Sequence, residues 1–325
     1  MTLSAWLPCR RRALLAMLAA PAVARAATWP DRPLRFVIPF PPGGNFDITG
    51  RLFCRWLADE LGQPVIAENR PGAATVVATQ QVARSAPDGL TMLSGGLNVA
   101  LNALLMRDLP YDAERDLVAV AQLTTVPYLL SVDPRLPITS VAELIAAAKA
   151  APGHFSYASF GIGGAAHLAG EMLDRMAGIS TLHVPFSGAA PAMIEVMAGR
   201  VSMAWTSIPP ALPEIAAGKL RPIGIGSLER VPFLPEVPTL AETLPGFEVV
   251  SLNTIFVPSR TPAGIIARLN QAAQAVMRRP EMQQAMMAQG FLAAPPMNPA
   301  ETAARFNATA ARLAAVIREA KLRLE

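Results

Sequence analysis

Short apolar runs alternate with amphipathic segments of helical period along most of the chain. The first run, residues 34–40, is rich in β-forming residues and ends in a Pro-Pro-Gly-Gly turn. After this turn, Ile48, Leu52 and Trp56 recur at a spacing of four, which predicts a helix that ends at Gly62. Strands that alternate with helices in this way are typical of an α/β protein with a parallel sheet.

The same patterns predict the remaining elements. Strands are predicted at 65–68, 91–94, 156–159, 182–184, 201–205, 221–226 and 249–257, and helices at 75–85, 141–150, 166–176 and 191–198. The run at 118–132 contains Pro127 and predicts either two strands or one strand that crosses between domains. After residue 257 the pattern is almost wholly helical, with helix starts at Thr261-Pro262, Arg279-Pro280 and Asn298-Pro299.

The order of these elements predicts the domain organisation. At roughly 100 to 200 residues per domain, the 325 residues predict about two domains. A helix-rich tail cannot form its own sheet, so we expect it to return and cover the first domain. That domain is then discontinuous and comprises residues 27–124 and 250–325, and residues 125–249 form the second domain. We expect crossover strands near 124–127 and 249–254.

The N-terminal 26 residues have the features of a secretory signal peptide. Three arginines at 10–12 precede an apolar run at 13–24, and small residues then end in Ala24-Arg25-Ala26. The apolar run is shorter than the roughly 20 residues that a membrane-spanning helix needs. We therefore predict export, by either the general or the twin-arginine route, with cleavage near Ala26.

Composition and charge narrow the classes of function. The chain is 52% hydrophobic and 16% charged, which is typical of a globular protein. Its net charge of +4 arises in the signal, which holds four of the 28 basic residues and none of the 24 acidic residues. The mature chain is formally neutral, so we expect no nucleic-acid partner. Cys9 leaves with the signal, and Cys54 is then predicted to be a buried, inert thiol.

Two glycine-rich turns between a strand and a helix are the main candidates for a binding site, one in each predicted domain. The first loop is residues 39–47 and the second loop is residues 159–167. Their candidate ligand-binding residues are Phe40, Gly43, Gly44, Asn45, Phe46 and Asp47, and Ser159, Gly161, Gly163, Gly164, Ala165 and His167. Free amide groups at a helix start attract anions. If the loops face each other, they form a clamp for a small carboxylate; the alternative is that the glycines only permit tight turns.

Several side chains near these loops have both a ligand-binding and a structural interpretation. Asp47 either accepts a hydrogen bond from a ligand or caps the following helix. His167 either reaches the cleft or is a hydrogen-bonded structural histidine. Arg70 either steers anions or forms an ion pair with Glu68. Hydroxyl groups at strand or loop ends are those of Ser159, Ser187, Thr206 and Ser207.

Patterns that indicate catalysis are scarce. His154, His167 and His183 do not have metal-motif spacing, and neither a G-x-S-x-G nor a G-x-x-x-x-G-K-[ST] motif occurs. Residues 161–166 are a variant of the dinucleotide fingerprint, but the acidic residue expected about 20 positions later is missing. We therefore expect a binding protein rather than an enzyme.

A series of short motifs follows in order along the mature chain. The motifs are Trp29-Pro30-Asp31-Arg32-Pro33, the first loop, Glu68-Asn69-Arg70-Pro71-Gly72-Ala73, Ala86-Pro87-Asp88-Gly89, Leu109-Pro110-Tyr111-Asp112, Tyr157-Ala158-Ser159, His167-Leu168-Ala169-Gly170-Glu171, His183-Val184-Pro185 and Leu234-Pro235-Glu236-Val237-Pro238-Thr239. In these motifs the chain resembles the Bug family, the extracytoplasmic solute receptors of tripartite tricarboxylate transporters.

The resemblance implies a fold, a ligand and partners. The implied fold is an α/β periplasmic binding protein of the Venus-flytrap kind, type II-like, with a ligand cleft between two domains. The implied ligand is a small carboxylate, such as an organic acid, an amino acid or an aromatic acid, held between the two loops without cofactor or metal. The implied partners are the membrane subunits of the transporter, and we expect a periplasmic monomer. The alternatives are a ligand sensor on the same fold and a secreted enzyme.

Departures from the family pattern change the expected ligand. They are Asn45 and Phe46 before Asp47, Ala165 and Ala166 in place of hydroxyl residues, Phe186 and Ser187 where Tyr and Lys are frequent, and Trp205-Thr206-Ser207 in place of a segment such as Phe-Asp-Asn. Together they remove hydroxyls, a cation and an acid near the cleft and add aromatic surface. We therefore include Phe186, Ser187, Trp205 and Thr206 among the ligand-binding residues and expect a ligand less polar than a typical dicarboxylate.

Overall fold

The computed structural model describes residues 29–319. The predicted signal peptide and its cleavage site lie outside these residues. Between the two limits, the strands are β1 (Leu34–Ile38), β2 (Val65–Asn69), β3 (Thr91–Gly95), β4 (Leu117–Val132), β5 (Ser156–Ser159), β6 (Leu182–Pro185), β7 (Met203–Ser207), β8 (Arg221–Ile225), β9 (Val250–Pro258) and β10 (Leu292–Ala293). The helices are α1 (Asn45–Leu61), α2 (Val76–Ala83), α3 (Asn98–Leu105), α4 (Ala113–Asp116), α5 (Val141–Ala150), α6 (Ala165–Ala177), α7 (Ala189–Met197), α8 (Ile208–Ala216), α9 (Ala263–Arg278), α10 (Pro280–Ala288) and α11 (Pro299–Glu319).

The strands form one mixed sheet in which β4 joins two halves. The strand order is β2-β1-β3-β9-β4-β7-β5-β6, and β8 and β10 also pair with β4. The outer strands of each half are parallel, whereas β4 runs antiparallel to both β9 and β7. Residues 117–127 of β4 pair with β9, and residues 128–132 pair with β7. A single long strand therefore passes from one half of the sheet to the other. Of the two alternatives predicted for residues 118–132, the structure shows one continuous strand rather than two separate strands.

Pro127 lies where β4 changes partners. Its pairing with Val250 is the last in the ladder to β9, and Tyr128 begins the ladder with Ser207 of β7. The Tyr128 N–H donates to the Val249 carbonyl at 3.1 Å. A proline has no N–H to donate, and a position where one ladder ends and the next begins tolerates that loss.

The helices cover the sheet with apolar faces. One core cluster packs α1 and α9 on the first half and includes the fully buried Phe36, Phe53 and Leu57. A second cluster runs through both halves of the sheet, from Leu105 on α3 to residues of α6 and α11. Burying a large apolar side chain contributes about 1.5–3 kcal/mol, so both clusters are major sources of stability.

The C-terminal helices return onto the sheet. Helix α11 also contacts the second half, whereas the tail was predicted to cover only the first domain. Helix α9 packs on α1 and β4, whereas α11 contacts β4 and α3 and also α6 of the second half. The helices α3, α4 and α8 and the short strand β10 have no counterpart in the sequence prediction. None of the helices within residues 29–319 has the length and apolar character needed to cross a membrane.

Cys54 is buried, as predicted. Its side chain is part of the first core cluster, and burial raises the pKa of the thiol to about 12. A thiol of this kind is protonated at neutral pH and is a poor nucleophile. It therefore has a packing role in α1.

Candidate functional site

Two adjoining cavities lie between the halves of the sheet. The aromatic cavity, of about 220 Å³, is lined by Phe40, Pro41, Pro42, Gly43, Gly44, Asn45, Phe46, Tyr128, Phe160, Ser187, Gly188, Ala189, Ala190, Pro191, Ser207 and Pro210. The adjoining cavity, of about 360 Å³, is lined by Pro39, Phe40, Pro41, Pro71, Gly72, Ala73, Ala74, Thr75, Asn98, Phe160, Gly161, Ile162, Gly164, Phe186 and Ser187. Because Phe40 and Phe160 line both, the cavities form one cleft between the first and second loops.

Helix N-termini converge on this cleft. Helices α1, α7 and α8 begin at the wall of the aromatic cavity, after the N-cap residues Gly44, Gly188 and Ser207. Helix α6 begins at the adjoining cavity, after Gly164. None of these four N-cap residues provides a side-chain cap. The first N–H groups of a helix have no partner within it and carry a partial positive charge. Pro209 and Pro210 leave few such groups on α8, so the cleft is suited to an anion chiefly through α1, α6 and α7.

Asp47 supports the first loop by hydrogen bonds from a position outside the cleft wall. It is the third residue of α1, and its Oδ2 accepts a hydrogen bond from the Gly43 N–H at 3.0 Å. Its Oδ1 accepts from Arg51 Nε and Asn69 Nδ2, both at 2.9 Å. Asn69 Nδ2 also donates to the Phe40 carbonyl at 3.0 Å and so ties the two ends of the loop together. Asp47 is 5% exposed and is not among the residues that line the cleft.

His167 has the equivalent position in the second loop. It is the third residue of α6, and its Nδ1 accepts a hydrogen bond from the Gly163 N–H at 2.9 Å. Gly163 and Gly43 have similar positive φ angles, +73° and +88°, which favour glycine. In both loops, the third helical side chain thus bonds the glycine that precedes the N-cap. This leaves the N–H groups of the N-cap and of the first helical residues to the cleft.

A stacked histidine pair supports the second loop. The rings of His167 and His183 lie 3.9 Å apart with an interplanar angle of 10°. The Ser159 hydroxyl lies 2.7 Å from His183 Nε2 and 3.2 Å from the Gly161 carbonyl. Burial and, second, the neighbouring His167 lower the pKa of His183 to about 4. His183 is therefore neutral at neutral pH and serves as a hydrogen-bonding support.

Glu171 completes this support. Its carboxylate lies 3.4 Å from His167 Nε2, and this contact is the main reason that the pKa of Glu171 is lowered. Tyr157 packs against the same pair, with its ring 4.9 Å from that of His183. Burial raises the pKa of the Tyr157 hydroxyl, which stays protonated. The ionisable groups below the second loop are thus engaged with one another.

The predicted ligand-binding residues fall into two groups. Those on the cleft wall are Phe40, Gly43, Gly44, Asn45, Phe46, Gly161, Gly164, Phe186 and Ser187. Those behind the wall are Asp47, Ser159, Gly163, Ala165, His167, Trp205 and Thr206. Trp205 is fully buried and stacks on Phe247, at 5.7 Å between ring centroids, and Ala165 belongs to the core cluster shared by both halves. Arg70 pairs with Glu68 at 3.6 Å and is also absent from the wall.

The structure adds wall residues that the sequence interpretation missed. They include Tyr128, Phe160, Gly188, Pro191 and Pro210, together with residues 72–75. Phe160 lies within the second loop and Gly188 directly follows Ser187, so their position after a strand was an available signal. Tyr128 follows Pro127 at the crossover, a position for which the sequence offers no binding signal.

A strained turn forms one side of the adjoining cavity. Ala73, Ala74 and Thr75 have φ angles of +44°, +49° and +81°, all in the left-handed region. This conformation costs roughly 1–2 kcal/mol for each residue other than glycine. Asn102 Nδ2 donates to the Ala74 carbonyl at 2.9 Å and helps to hold the turn. The buried Thr75 hydroxyl has no hydrogen-bond partner within the described residues. Backbone strain of this kind is concentrated at functional sites.

The cleft wall carries no formal charge. No Asp, Glu, Lys, Arg or His is among the residues that line either cavity. Between residues 29 and 319, no group of three or more His, Cys, Asp and Glu side chains is placed to hold a metal ion. The polarity of the site therefore comes from backbone amides and from a few neutral side chains such as Asn45, Ser187 and Ser207.

Comparison with known proteins agrees with this geometry. Residues 50–322 match the family described as tripartite tricarboxylate transporter family receptor, TctC. The chain belongs to this family. It is 36% identical to protein BugT of Bordetella pertussis (strain Tohama I) over 268 residues, 82% of each chain. The resemblance to the Bug family is thereby confirmed.

Solved structures of TctC-type receptors share the fold. The periplasmic binding protein BugD superposes with a TM-score of 0.83 at 29% identity, covering 91% of this chain and 100% of BugD. A structure described as R. palustris Rpa4515 with adipate superposes with a TM-score of 0.85 at 32% identity, covering 91% and 99% of the two chains. The expected α/β fold of a two-domain periplasmic binding protein is confirmed. The domain boundaries stay a prediction.

Proposed function

We propose that this TctC-family receptor captures a small carboxylate in the periplasm and delivers it to the membrane subunits of a tripartite tricarboxylate transporter. The observation that supports the proposal best is the convergence of helix N-termini from both halves on a cleft without charged side chains. A relative with the same fold has been solved with adipate, which is a carboxylate.

The geometry supports a simple mechanism of capture. A carboxylate oxygen in the aromatic cavity would accept hydrogen bonds from free N–H groups after Gly44 and Gly188. Hydrogen bonds to a charged group contribute about 1.5–3 kcal/mol each, roughly twice as much as neutral ones. Because these groups belong to both halves of the sheet, the ligand stabilises the arrangement in which the two halves face each other across the cleft.

We propose that the receptor has no catalytic activity. The groups that an enzyme would use as nucleophile or base are engaged in supporting the loops: Asp47 accepts three hydrogen bonds, His167 bonds Gly163, and Ser159 contacts His183. None of them is part of the cleft wall. Incubation of the protein with any ligand found by binding, followed by chromatography of the ligand, should recover it unchanged.

A thermal-shift screen tests carboxylate capture. A ligand present at a hundred times its dissociation constant stabilises the protein by about 2.7 kcal/mol. We expect organic acids to raise the melting temperature, and mass spectrometry of molecules released by denaturation to identify the bound acid. If only sugars or cationic ligands raise the melting temperature, carboxylate capture is wrong.

Export and partnership need separate tests. Mass measurement of the protein from a periplasmic fraction should give a chain that begins after Ala26, and size-exclusion chromatography should give a monomer. Co-purification with the membrane subunits of a tripartite transporter, enhanced by ligand, would support delivery. A ligand-dependent complex with a signalling protein instead would indicate a sensor.

A further inference from the structure

Two aromatic pairs line the cleft, one with Phe40 of the first loop and one with Phe160 of the second loop. On the first loop, Phe40 stacks on Phe46 with ring centroids 4.6 Å apart and an interplanar angle of 26°. On the other half of the sheet, Phe160 stacks on Tyr128 at 5.8 Å and 19°. The outer ring of each pair, Phe40 or Phe160, lines both cavities, whereas Phe46 and Tyr128 line the aromatic cavity alone and are almost fully buried. Each outer ring is therefore held by a second ring and presents a preformed apolar wall.

The wall of the aromatic cavity is mostly apolar and carries no formal charge. Prolines complete it at Pro41, Pro42, Pro191 and Pro210. The aromatic cavity, of about 220 Å³, exceeds the roughly 150 Å³ apolar cavity that accommodates a benzene ring. Aromatic rings stack with centroids about 4.5–7 Å apart, so a flat ligand ring is the shape that two facing aromatic walls favour.

The electrostatics of the cleft favour a single negative charge. The N-termini of α1 and α7 meet at the aromatic cavity and suit one carboxylate there, whereas the N-terminus of α6 alone opens on the adjoining cavity. No Lys or Arg lines either cavity to neutralise a second carboxylate. An amino acid would also bring an ammonium group, which requires an acceptor with negative charge. The nearest carboxylate in the first loop is Asp47, and its oxygens already accept from Gly43, Arg51 and Asn69.

We infer that the ligand is an aromatic monocarboxylate whose carboxylate lies at the helix N-termini and whose ring lies between Phe40 and Phe160. This inference rests on the proposed function and narrows it, because it selects one class of acid over dicarboxylates and amino acids. The first loop supplies one aromatic wall and the second loop supplies the other. Ring stacking then adds selectivity to the anion binding that the backbone provides.

Calorimetric titration of the purified protein tests the ligand class. The aromatic probes are benzoate, phenylacetate and 4-hydroxybenzoate, and the comparison probes are hexanoate, adipate, malate, glutamate and the neutral isostere benzamide. We expect the best aromatic acid to bind at least about tenfold more tightly than each comparison probe, since ring stacking and an unpaired second charge each account for about that factor.

Variants of the two outer rings test where the ligand ring lies. Phe40→Leu and Phe160→Leu keep an apolar side chain but remove the ring, and each should weaken binding of the best aromatic acid about three- to tenfold. Hexanoate should lose less than about twofold in affinity, because it has no ring to stack. Phe233→Leu is the matched control, since Phe233 is partly buried in a core cluster elsewhere. Phe40→Tyr retains the ring and should restore affinity, which separates stacking from loss of folding.

The outcomes distinguish this inference from the proposed function. If adipate, malate or glutamate binds more tightly than every aromatic acid, the aromatic inference is wrong and carboxylate capture stands. If the leucine variants weaken all acids equally, the ring does not lie between Phe40 and Phe160. If benzamide binds as well as benzoate, the inference is wrong, because the carboxylate of the aromatic acid then contributes nothing to binding. If no carboxylate binds, both the inference and the proposed function fail.

Discussion

Asp47 and His167 show that the third residue of a helix can support the preceding loop with either a carboxylate or an imidazole. Each is the third residue of a helix, and each accepts a hydrogen bond from the glycine that precedes the N-cap. The sequence left a ligand-binding and a structural interpretation open for both, because it contains no information on which face of a helix start points to the cleft. Their bonds instead fix the loop backbone, so that the N–H groups of Gly44 and Gly164 stand at the cavities.

Replacement of Asp47 tests this supporting role. Asp47→Asn places an amide N–H₂ among the donors Gly43 N–H, Arg51 and Asn69, so one donor loses its acceptor. We expect the free energy of unfolding to fall by about 1–3 kcal/mol, with weaker ligand binding as the loop loosens. Asp59→Asn on the same helix is exposed and should change stability by less than about 0.5 kcal/mol. Urea unfolding measures both, and equal stability of the two variants would contradict a supporting role for Asp47.

The histidine pair predicts a pH dependence of stability. The pKa of His183 is about 4 in the folded protein and 6.5 as its ordinary value. As the pH falls from 6.5 to 4, the unfolded state takes up a proton that the folded state does not, so the free energy of unfolding falls. The lowered pKa of Glu171 acts in a different window, because its contribution is lost only below its ordinary value of 4.5.

His183→Phe isolates the contribution of the imidazole. The phenyl ring retains stacking on His167 but does not titrate, so the free energy of unfolding should depend less on pH between 6.5 and 4 than in the wild type. Urea unfolding at a series of pH values measures this slope. An unchanged slope in the variant would show that His183 does not take up the proton.

Elements with a strong periodic pattern were predictable, and elements set by tertiary context were not. The strands β1, β2, β3 and β5 lie within one or two residues of their predicted bounds, because alternating runs and turn residues are local signals. Helix α8 was missed because Pro209, Pro210 and Pro213 indicate a loop. The first two prolines stand in the first turn, where no N–H is needed, and burial of the helix against β7 offsets the third.

The candidate site likewise contains residues that local sequence patterns predict and residues whose place depends on tertiary contacts. The glycine-rich loops were predictable because a strand, a glycine pair and a helix follow in sequence. The left-handed turn at residues 73–75 was not, since alanine and threonine do not favour positive φ and tertiary contacts such as the Asn102 hydrogen bond hold it there. Tyr128 was also missed, because its position depends on the crossover of β4 between two ladders.

Gly44 offers a test of the helix N-terminus as a binding element. Its φ of −84° suits any residue, and a Cβ there would meet no atom within 4 Å, so Gly44→Ala should leave stability within about 0.5 kcal/mol of the wild type. Because Gly44 lines the aromatic cavity, the added methyl group would stand beside the free N–H groups and weaken ligand binding about tenfold or more. Calorimetry and urea unfolding measure the two effects.

A second glycine supplies the control. Gly264 is exposed in the first turn of α9 and also has open space around its Cα, so Gly264→Ala should leave affinity unchanged. If Gly44→Ala lowers stability as much as it lowers affinity, the glycine serves the turn rather than the ligand.

At the scale of the whole molecule, the two halves meet through apolar packing as well as through β4. Leu105, the last residue of α3, lies so close to Gly163 of the second loop that a Cβ on Gly163 would be 2.5 Å from Leu105 Cδ1. Leu105 belongs to the core cluster that also contains Ala165 and Ala166 at the start of α6. The two alanines, which replace hydroxyl residues of the family pattern, thus add apolar surface to the contact between the halves.

This contact predicts that ligand affinity depends on a residue outside the cleft. Leu105→Ala removes side-chain atoms that lie against the second loop, so the arrangement in which the loops face each other becomes less populated and the apparent affinity falls. We expect about tenfold weaker binding, together with a loss of about 2–4 kcal/mol in unfolding free energy. Leu57→Ala is the matched control, since Leu57 is fully buried in the α1 core cluster away from the second loop. It should lose a similar amount of stability but change affinity by less than about twofold. Equal affinities in the two variants, measured by calorimetry beside urea unfolding, would mean that the contact between the halves is not coupled to ligand binding.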